Sequence, residues 1–401
     1  MTTATPPDAE PVWTNWSGKQ STATATLHHV RSEEDAAAVA GEARARGSTV
    51  RVAGSGHSHQ PLVPNDGVVV DVSALSGVIS VDTDAQQAWM WAGTPIYALG
   101  RPLHEAGLAL INQGDIDRQL IGGAVATGTH GTGAELANLS AAVVGARIAL
   151  ASGELVDVTA EQHPELWQVV RQNLGAVGIV TRLALQLRSA YRLRERGSFE
   201  TWAELAPTLE RAVNEARHFE FFWFPTTDTA AVKFIDETDD EAEYPLATEG
   251  SRVGWNYEVL PNHRTWPHTE LEYSVPLEAG PACLDAIRTL LRRDFPEMPW
   301  PVEYRSLAAD DVWLSTAYER PTVTISLHQG VEVDDEPLFR AAEEVVRSFD
   351  GRPHWGKVNY LTGGDLEAIH PRWSDWWAVR DRYDPDQVFL NDYLLSIRPE
   401  R

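Results

Sequence analysis

Four short stretches carry residue types that could do chemistry. The first is Gly54-Ser55-Gly56-His57-Ser58-His59. Glycine lets a chain turn sharply and approach a ligand closely, and successive amides in such a turn form a concavity that binds anions. His57 and His59 alternate, so they could face one side of a strand as metal ligands. Two histidines fall short of the three or four ligands a zinc site wants. A dinucleotide fingerprint of the nicotinamide type wants three spaced glycines opening a helix. Only two occur here, and Gln60-Pro61 spoils a helix start. Taken locally, a plain strand-to-loop turn is the rival reading.

The second stretch is Gly114-Asp115-Ile116-Asp117 followed by the glycine-rich run from Ile121 to Gly133. Backbone amides and threonine hydroxyls at that density suit a pyrophosphate held without lysine. The run lacks the Gly-Lys-Ser/Thr ending of an ordinary P-loop; a tightly packed turn region is the alternative. The third is Glu303-Tyr304-Arg305. On a strand, residues two apart share a face, so an acid and a guanidinium would stand side by side. Such a pair can orient a hydroxylated substrate, and the arginine can stabilise negative charge on oxygen; a solvent-exposed ion pair is the alternative. The fourth is Pro353-His354-Trp355-Gly356-Lys357, where a lysine after a Trp-Gly turn could lie against a ring system or an anion, or simply be exposed.

The elements that must position these groups follow from pattern. Ser32 with Asp35 resembles a capping box and opens an Ala-rich helix ending near Gly47. Strands are predicted at 49–53, 68–72 and 87–92, and a short helix from Tyr97 to Gly107. The runs 143–150 and 155–158 form a hairpin around Ser152-Gly153. Gly175 to Leu187 pairs a glycine turn with an alternating strand. Composition shifts near Ser189. The middle is rich in aromatics and acids, with strands at 219–224, 271–275 and 323–327 and helices at 280–293 and 336–349. That mixture predicts an antiparallel sheet with helices on one face. The acidic run from Asp236 to Glu243 reads as a solvated loop. The tail from Pro353 reads as a motif-bearing loop with a closing helix. The fold class expected is α+β in two domains: residues 1–188 for a cofactor, 189–351 for the substrate, and 352–401 returning to the first.

Composition narrows the partners. The 401 residues are 43% hydrophobic with 15 Trp, which is a globular composition. A formal net charge of -25 repels phosphates and anionic membrane surfaces, so neither nucleic acid nor a membrane is an expected partner. No apolar run approaches the roughly 20 residues of a membrane helix. Met1 to Glu10 is polar and Pro-rich and reads as no signal peptide. Cys283 is the one cysteine, which excludes an internal disulfide and fits a reducing, cytoplasmic compartment. No long exposed apolar stripe stands out, so a monomer is expected.

Together the four stretches resemble the vanillyl-alcohol-oxidase-type flavoproteins, and within them the aldonolactone and alditol oxidases. The resemblance runs from about Asn15 to Leu395. It implies FAD joined covalently through a ring nitrogen of His57 to the flavin 8α-methyl. It also implies that Gly54, Ser55, Gly56, Ser58, Gly114, Asp115, Gly122, Gly123, Thr127, His130, Gly131, Gly178 and Ile179 lie against the cofactor. Glu303, Arg305 and Lys357 would be catalytic, holding a carbinol at flavin N5 and stabilising the reduced ring. Oxygen would then reoxidise the flavin and release hydrogen peroxide.

Cys283 falls on a predicted helix of the middle segment, so the second, cysteinyl link of berberine-bridge-type relatives is not expected. Glycine at the first position of the Gly122-Gly123 pair favours an oxidase over a dehydrogenase. Polyol oxidases of the family carry serine where Asp115 stands and histidine near Ser326. Neither is kept here, although His328 would face the same side and could substitute. Asp115, Ser326 and His328 are thus the substrate-side candidates, and a sugar lactone is expected ahead of a polyol. No metal is implied. The rival outside this class is a flavin-free metal protein built on His57, His59 and His130.

Overall fold

A computed structural model describes residues 10–262 and 264–399. The start read above as lacking a signal peptide lies, up to Ala9, outside the described residues. The architecture is α+β. Towards the N-terminus a parallel three-stranded sheet, in the order Thr26–His29, Val68–Asp71, Val50–Ala53, stands beside an antiparallel five-stranded sheet. The latter runs Leu155–Thr159, Val143–Ala149, Ile179–Gln186, Gln87–Trp91, Val78–Asp82. The helix Glu33–Ala45 packs on this second sheet. The Ser32 hydroxyl accepts from the Asp35 amide at 3.1 Å, and the acidic first turn complements the helix dipole.

An eight-stranded antiparallel sheet takes all its strands from between Arg192 and Pro353. Its order is Val253–Trp255, Arg192–Thr201, Thr229–Glu237, His218–Phe224, Val302–Leu307, Thr322–Gly330, His268–Pro276, Arg352–Pro353. The helices Gly280–Asp294 and Glu336–Arg347 pack on each other and cover one face. Alternation along each strand sorts the side chains. Tyr304 stacks on Phe221 under the helices, with ring centroids 4.9 Å apart, while Glu303 and Arg305 turn to the other face. Cys283 sits on the first of these helices, fully buried, and burial pushes its thiol up to about 12.

Two devices join the halves. The end of the glycine-rich run docks on the large sheet: the Gly133 amide donates to the Ser306 carbonyl at 2.8 Å, and the Thr132 hydroxyl to the Phe219 carbonyl at 2.5 Å. The second is Arg51, whose buried guanidinium donates to the carbonyls of Leu62, Leu174, Gly175 and Phe389. Burial, with Arg380 nearby, lowers it to about 9. Through Phe389 it ties the tail to the N-terminal sheets, and the Val50 amide adds a bond to the Val388 carbonyl at 2.7 Å.

Several expectations need correction. The tail holds three helices, Gly363–Ile369, Trp373–Tyr383 and Asp392–Ser396, rather than one. The glycine-rich run is not all loop: Ile121–Thr127 is a short helix, stopped by Gly128 in the left-handed region at φ 76°. The acidic run begins inside the strand Thr229–Glu237, and its carboxylates pair with Arg192, Arg194 and Arg196 on the neighbouring strand. The strands Val78–Asp82, Arg192–Thr201 and Thr229–Glu237 are additional to those predicted. Among the described residues no helix is long and apolar enough to cross a membrane.

Candidate active site

The turn at His57 is built from outside as well as within. Gly56 has φ 71°, and a Cβ there would lie 3.1 Å from the Asn15 Cα and 3.2 Å from the Trp16 nitrogen, so only glycine fits. The Trp16 amide donates to the Gly56 carbonyl at 2.8 Å, and the Asn15 side chain to the Ser58 carbonyl at 2.9 Å. Ser55 donates to the Arg118 carbonyl at 2.7 Å. His57 is left half-buried beside the Trp16 ring, with neither ring nitrogen hydrogen-bonded. Burial lowers it to about 4, with Lys357 adding to the effect, so the imidazole is neutral.

A long cleft runs from this turn. Gly54, Ser55, Gly56, His57 and Ser58 line it, and so do Gly122, Gly123, Thr127, Gly175 and Gly178. A Cβ added at Gly123 would meet nothing within 4 Å, so that position opens straight onto the cleft. Gly122 differs: a Cβ there would lie 2.9 Å from the Ala92 Cβ and carbonyl oxygen. Packing against Ala92 therefore also keeps this position small. Gly114, Asp115, His130, Gly131 and Ile179 do not line the cleft. Ile179 is a core residue of the five-stranded sheet, and Gly131 backs onto Gln113. His130 donates instead to Glu272, on the large sheet, at 2.9 Å.

On the other side lies a cavity of about 660 Å³, whose lining includes Asp115, Glu270, Glu303, Arg305, His328 and Lys357. Glu303 and Arg305 form a buried ion pair, not the exposed one that was the alternative. The Arg305 nitrogen touches Glu303 Oε1 without a directed hydrogen bond. Arg305 also donates to Glu220 at 3.2 Å and lies 3.4 Å from Asp115, which is held in turn by Arg264 at 3.1 Å. Asp115 thus belongs to the substrate side. Burial raises Glu303 well above the usual carboxylate range; Asp115 and Glu220 add to this, and Arg305 does not cancel it. Burial would also raise Asp115, but Arg305 and Arg264 outweigh it and hold the acid well below its ordinary value.

Lys357 reaches the site on its turn. Trp355 anchors that turn, stacking on Trp373 with centroids 5.4 Å apart and donating to the Leu314 carbonyl at 2.7 Å. The Lys357 ammonium pairs with Glu270. Burial works against both charges, yet the pairing keeps Lys357 raised and Glu270 at about 2. His328 Nδ1 faces the Pro301 carbonyl at 3.0 Å and His268 Nδ1 the Trp266 carbonyl at 2.9 Å. A carbonyl can only accept, so each Nδ1 carries a hydrogen. Burial lowers His328 to about 4, which leaves its Nε2 a lone pair. The Nε2 atoms of His328 and His268 lie 3.8 and 3.9 Å from Glu270 Oε2. Ser326 is beside the cavity but not on it; its hydroxyl donates to Glu272 at 2.7 Å.

Sequence reading missed Glu270, Glu272 and His268. The signal was present in His268-x-Glu270-x-Glu272, three ionisable residues at period two and so on one face of the strand. Two groups of three, His130/Glu272/His354 and His268/Glu270/His328, bring ligand atoms within 4.8 Å of one another. Each carboxylate already has protein partners, His130 and Ser326 on one and Lys357 on the other. The rival trio His57, His59 and His130 does not converge among the described residues.

Cleft and cavity adjoin. A small space between them shares His57, Ser58, Gln119 and Thr127 with the cleft, and Ile116, His268, Glu270 and Lys357 with the cavity. A glycine-lined groove ending at a neutral, unbonded histidine fits a long anionic cofactor whose ring system would reach the junction.

Comparison with known proteins bears on this geometry. A family model described as D-arabinono-1,4-lactone oxidase matches residues 183–253 and 244–397, and an FAD binding domain model matches 25–159. The chain is 35% identical to the L-gulono-1,4-lactone dehydrogenase of Mycobacterium tuberculosis, over 96% of this chain and 99% of that protein. It is 30% identical to the alditol oxidase of a Streptomyces species (96% and 98%) and 27% identical to the L-gulonolactone oxidase of Scyliorhinus torazame (88% and 90%). Among solved structures, a solvent-stable cholesterol oxidase superposes with a TM-score of 0.85 at 18% identity, covering 96% of this chain and 97% of that one.

Proposed function

The chain belongs to the D-arabinono-1,4-lactone oxidase family and carries an FAD-binding domain, and from that premise we propose that it oxidises a carbinol carbon of an aldonolactone. One observation carries the reading: the glycine-lined cleft at His57 and the cavity of Glu303, Arg305 and Lys357 adjoin through a small space walled by His57 on one side and Lys357 on the other. Residues 1–188 would hold FAD, 189–351 would supply the substrate side, and 352–401 would return to close the site. Gly54 to Ser58, Gly122, Gly123, Thr127 and Gly178 would hold FAD, with His57 as the covalent attachment point. Bound FAD supplies the hydride acceptor.

The chain's own groups divide the remaining work. A carbinol that loses hydride must also lose its hydroxyl proton. Glu303 is suited to take it, because burial makes it a stronger base than an exposed carboxylate. Arg305, fixed by Asp115 and Glu220, stabilises charge developing on that oxygen. Lys357 keeps its proton, so it acts as a fixed positive charge and not as a base. The Nε2 lone pair of His328 is an acceptor for a further substrate hydroxyl.

Oxygen as the electron acceptor, giving hydrogen peroxide, is supported by the oxidases among the relatives. A second reading, with an acceptor other than oxygen, is favoured by the 35% identical dehydrogenase. The test is oxygen uptake and dye reduction measured side by side with L-gulono-1,4-lactone, D-arabinono-1,4-lactone, xylitol and sorbitol. The proposal expects the lactones to react faster than the polyols, with oxygen consumed and peroxide formed. Dye reduction without oxygen uptake would establish the second reading, and faster turnover of polyols would overturn the lactone assignment.

A further inference from the structure

The cavity is longer than the substrate proposed for it. Phe199, Ala231, Phe222 and Glu303 are successive cross-strand partners in one row of the large sheet. Three strand spacings separate Phe199 from Glu303, about 14 Å at 4.7–4.9 Å each. A six-carbon chain has five C–C bonds of about 1.5 Å and spans roughly 6–7 Å. A monosaccharide-derived lactone or polyol held at Glu303 therefore ends about halfway along the row.

The outer half is furnished. Phe199 and Trp266 line the same cavity and are 81% and 76% exposed. Single exposed aromatics are ordinary; two sharing one cavity with a buried acid–guanidinium pair are not isolated. Gly197 and Gly250 also line it and pack backbone against backbone, so that wall carries no side chain. The Lys233–Glu249 ion pair, 2.9 Å apart, lines the cavity as well. A hydrocarbon tail would strip water from those charges without replacing it. A sugar ring offers a C–H face to an aromatic ring and hydroxyls to charged groups around its edge.

We propose that the outer half of the cavity is a subsite for a second sugar unit, glycosidically attached to the end of the substrate remote from the reacting carbinol. This rests on the reading of Glu303 and Arg305 as the reacting end. The preferred substrate class is then a glycosylated lactone or polyol.

The test uses the flavin-loaded enzyme and two pairs of substrates in which the second sugar is carried on O6: melibionolactone against D-glucono-1,5-lactone, and 6-O-α-D-glucopyranosyl-D-sorbitol against sorbitol. In the pair that reacts, the glycosylated member is expected to show a KM about tenfold lower at similar kcat, the order of one aromatic stacking contact. Trp266→Ala and Phe199→Ala should abolish that gain and leave kcat/KM for the bare substrate unchanged. Both side chains are exposed, so both variants fold. Turnover of a bare substrate with no gain from glycosylation overturns the subsite alone, as does an equal loss on both members in the variants. Reaction of a glycosylated member whose bare partner is inert supports it. No flavin reduction by any of the four overturns both the subsite and the reading beneath it.

Discussion

The backbone amide of His59 donates to the carbonyl of Gly356 at 2.7 Å. That bond fastens the turn carrying His57 to the turn carrying Lys357, which lies at the far end of the sequence. The cofactor side and the charged end of the substrate cavity therefore share one backbone contact, and disturbing either turn should be felt at the other.

His57→Ala is expected to bind FAD without a covalent bond. The denatured wild-type polypeptide should give a fluorescent band on a gel, and the variant none. Turnover should fall about tenfold as the reduced flavin loses the electron-withdrawing link. A flavin still bonded to the variant would refute the attachment point.

Glu303→Gln should slow flavin reduction by about 10²–10⁴, the range of a lost general base. Burial raises Glu303, and the base works only after losing its proton. Wild-type reduction should therefore rise with pH along a limb above that of an ordinary carboxylate. In stopped-flow measurements that limb should vanish in the variant.

Glu270→Gln leaves the Lys357 ammonium buried without its carboxylate. Burial then weighs more and the lysine's pKa falls, although Glu272 and Glu303 still act to raise it. Activity should be lost at lower pH on the alkaline side than in the wild type, and the acid limb should move down as well, because Glu270 is one of the charges that raise Glu303. An unmoved alkaline limb in the pH profile would separate Lys357 from the chemistry.

Arg51→Ala should destabilise the fold by about 3–5 kcal/mol, because four carbonyls from three segments lose their shared donor. Calorimetry should show a lower unfolding midpoint, and limited proteolysis should reach the tail beyond Phe389 first.

Much of this was legible in the residues, for identifiable reasons. Ser32 with Asp35 announced its helix because the cap is local. Glu303 and Arg305 read as neighbours because period two is a property of any strand. What stayed hidden depended on partners distant in sequence. His130 sits in a glycine-rich run, and nothing local says that it turns away from the cleft to Glu272. Gly122 looked like an opening until Ala92 was found against it. Asp115 reads as part of a loop, and only the fold brings Arg264 and Arg305 to it. The Arg192–Thr201 and Thr229–Glu237 strands are rich in charge because their arginines and acids pair across the sheet, which masks the usual apolar signal.

The burial of Cys283 has a practical consequence. The chain's one thiol is shielded and held protonated under the helices of the large sheet, so the native surface should be inert to maleimides. A cysteine introduced at an exposed position such as Lys19 would be the only reactive handle, ready to tether the protein to an electrode or a dye at a single point without first removing the native residue.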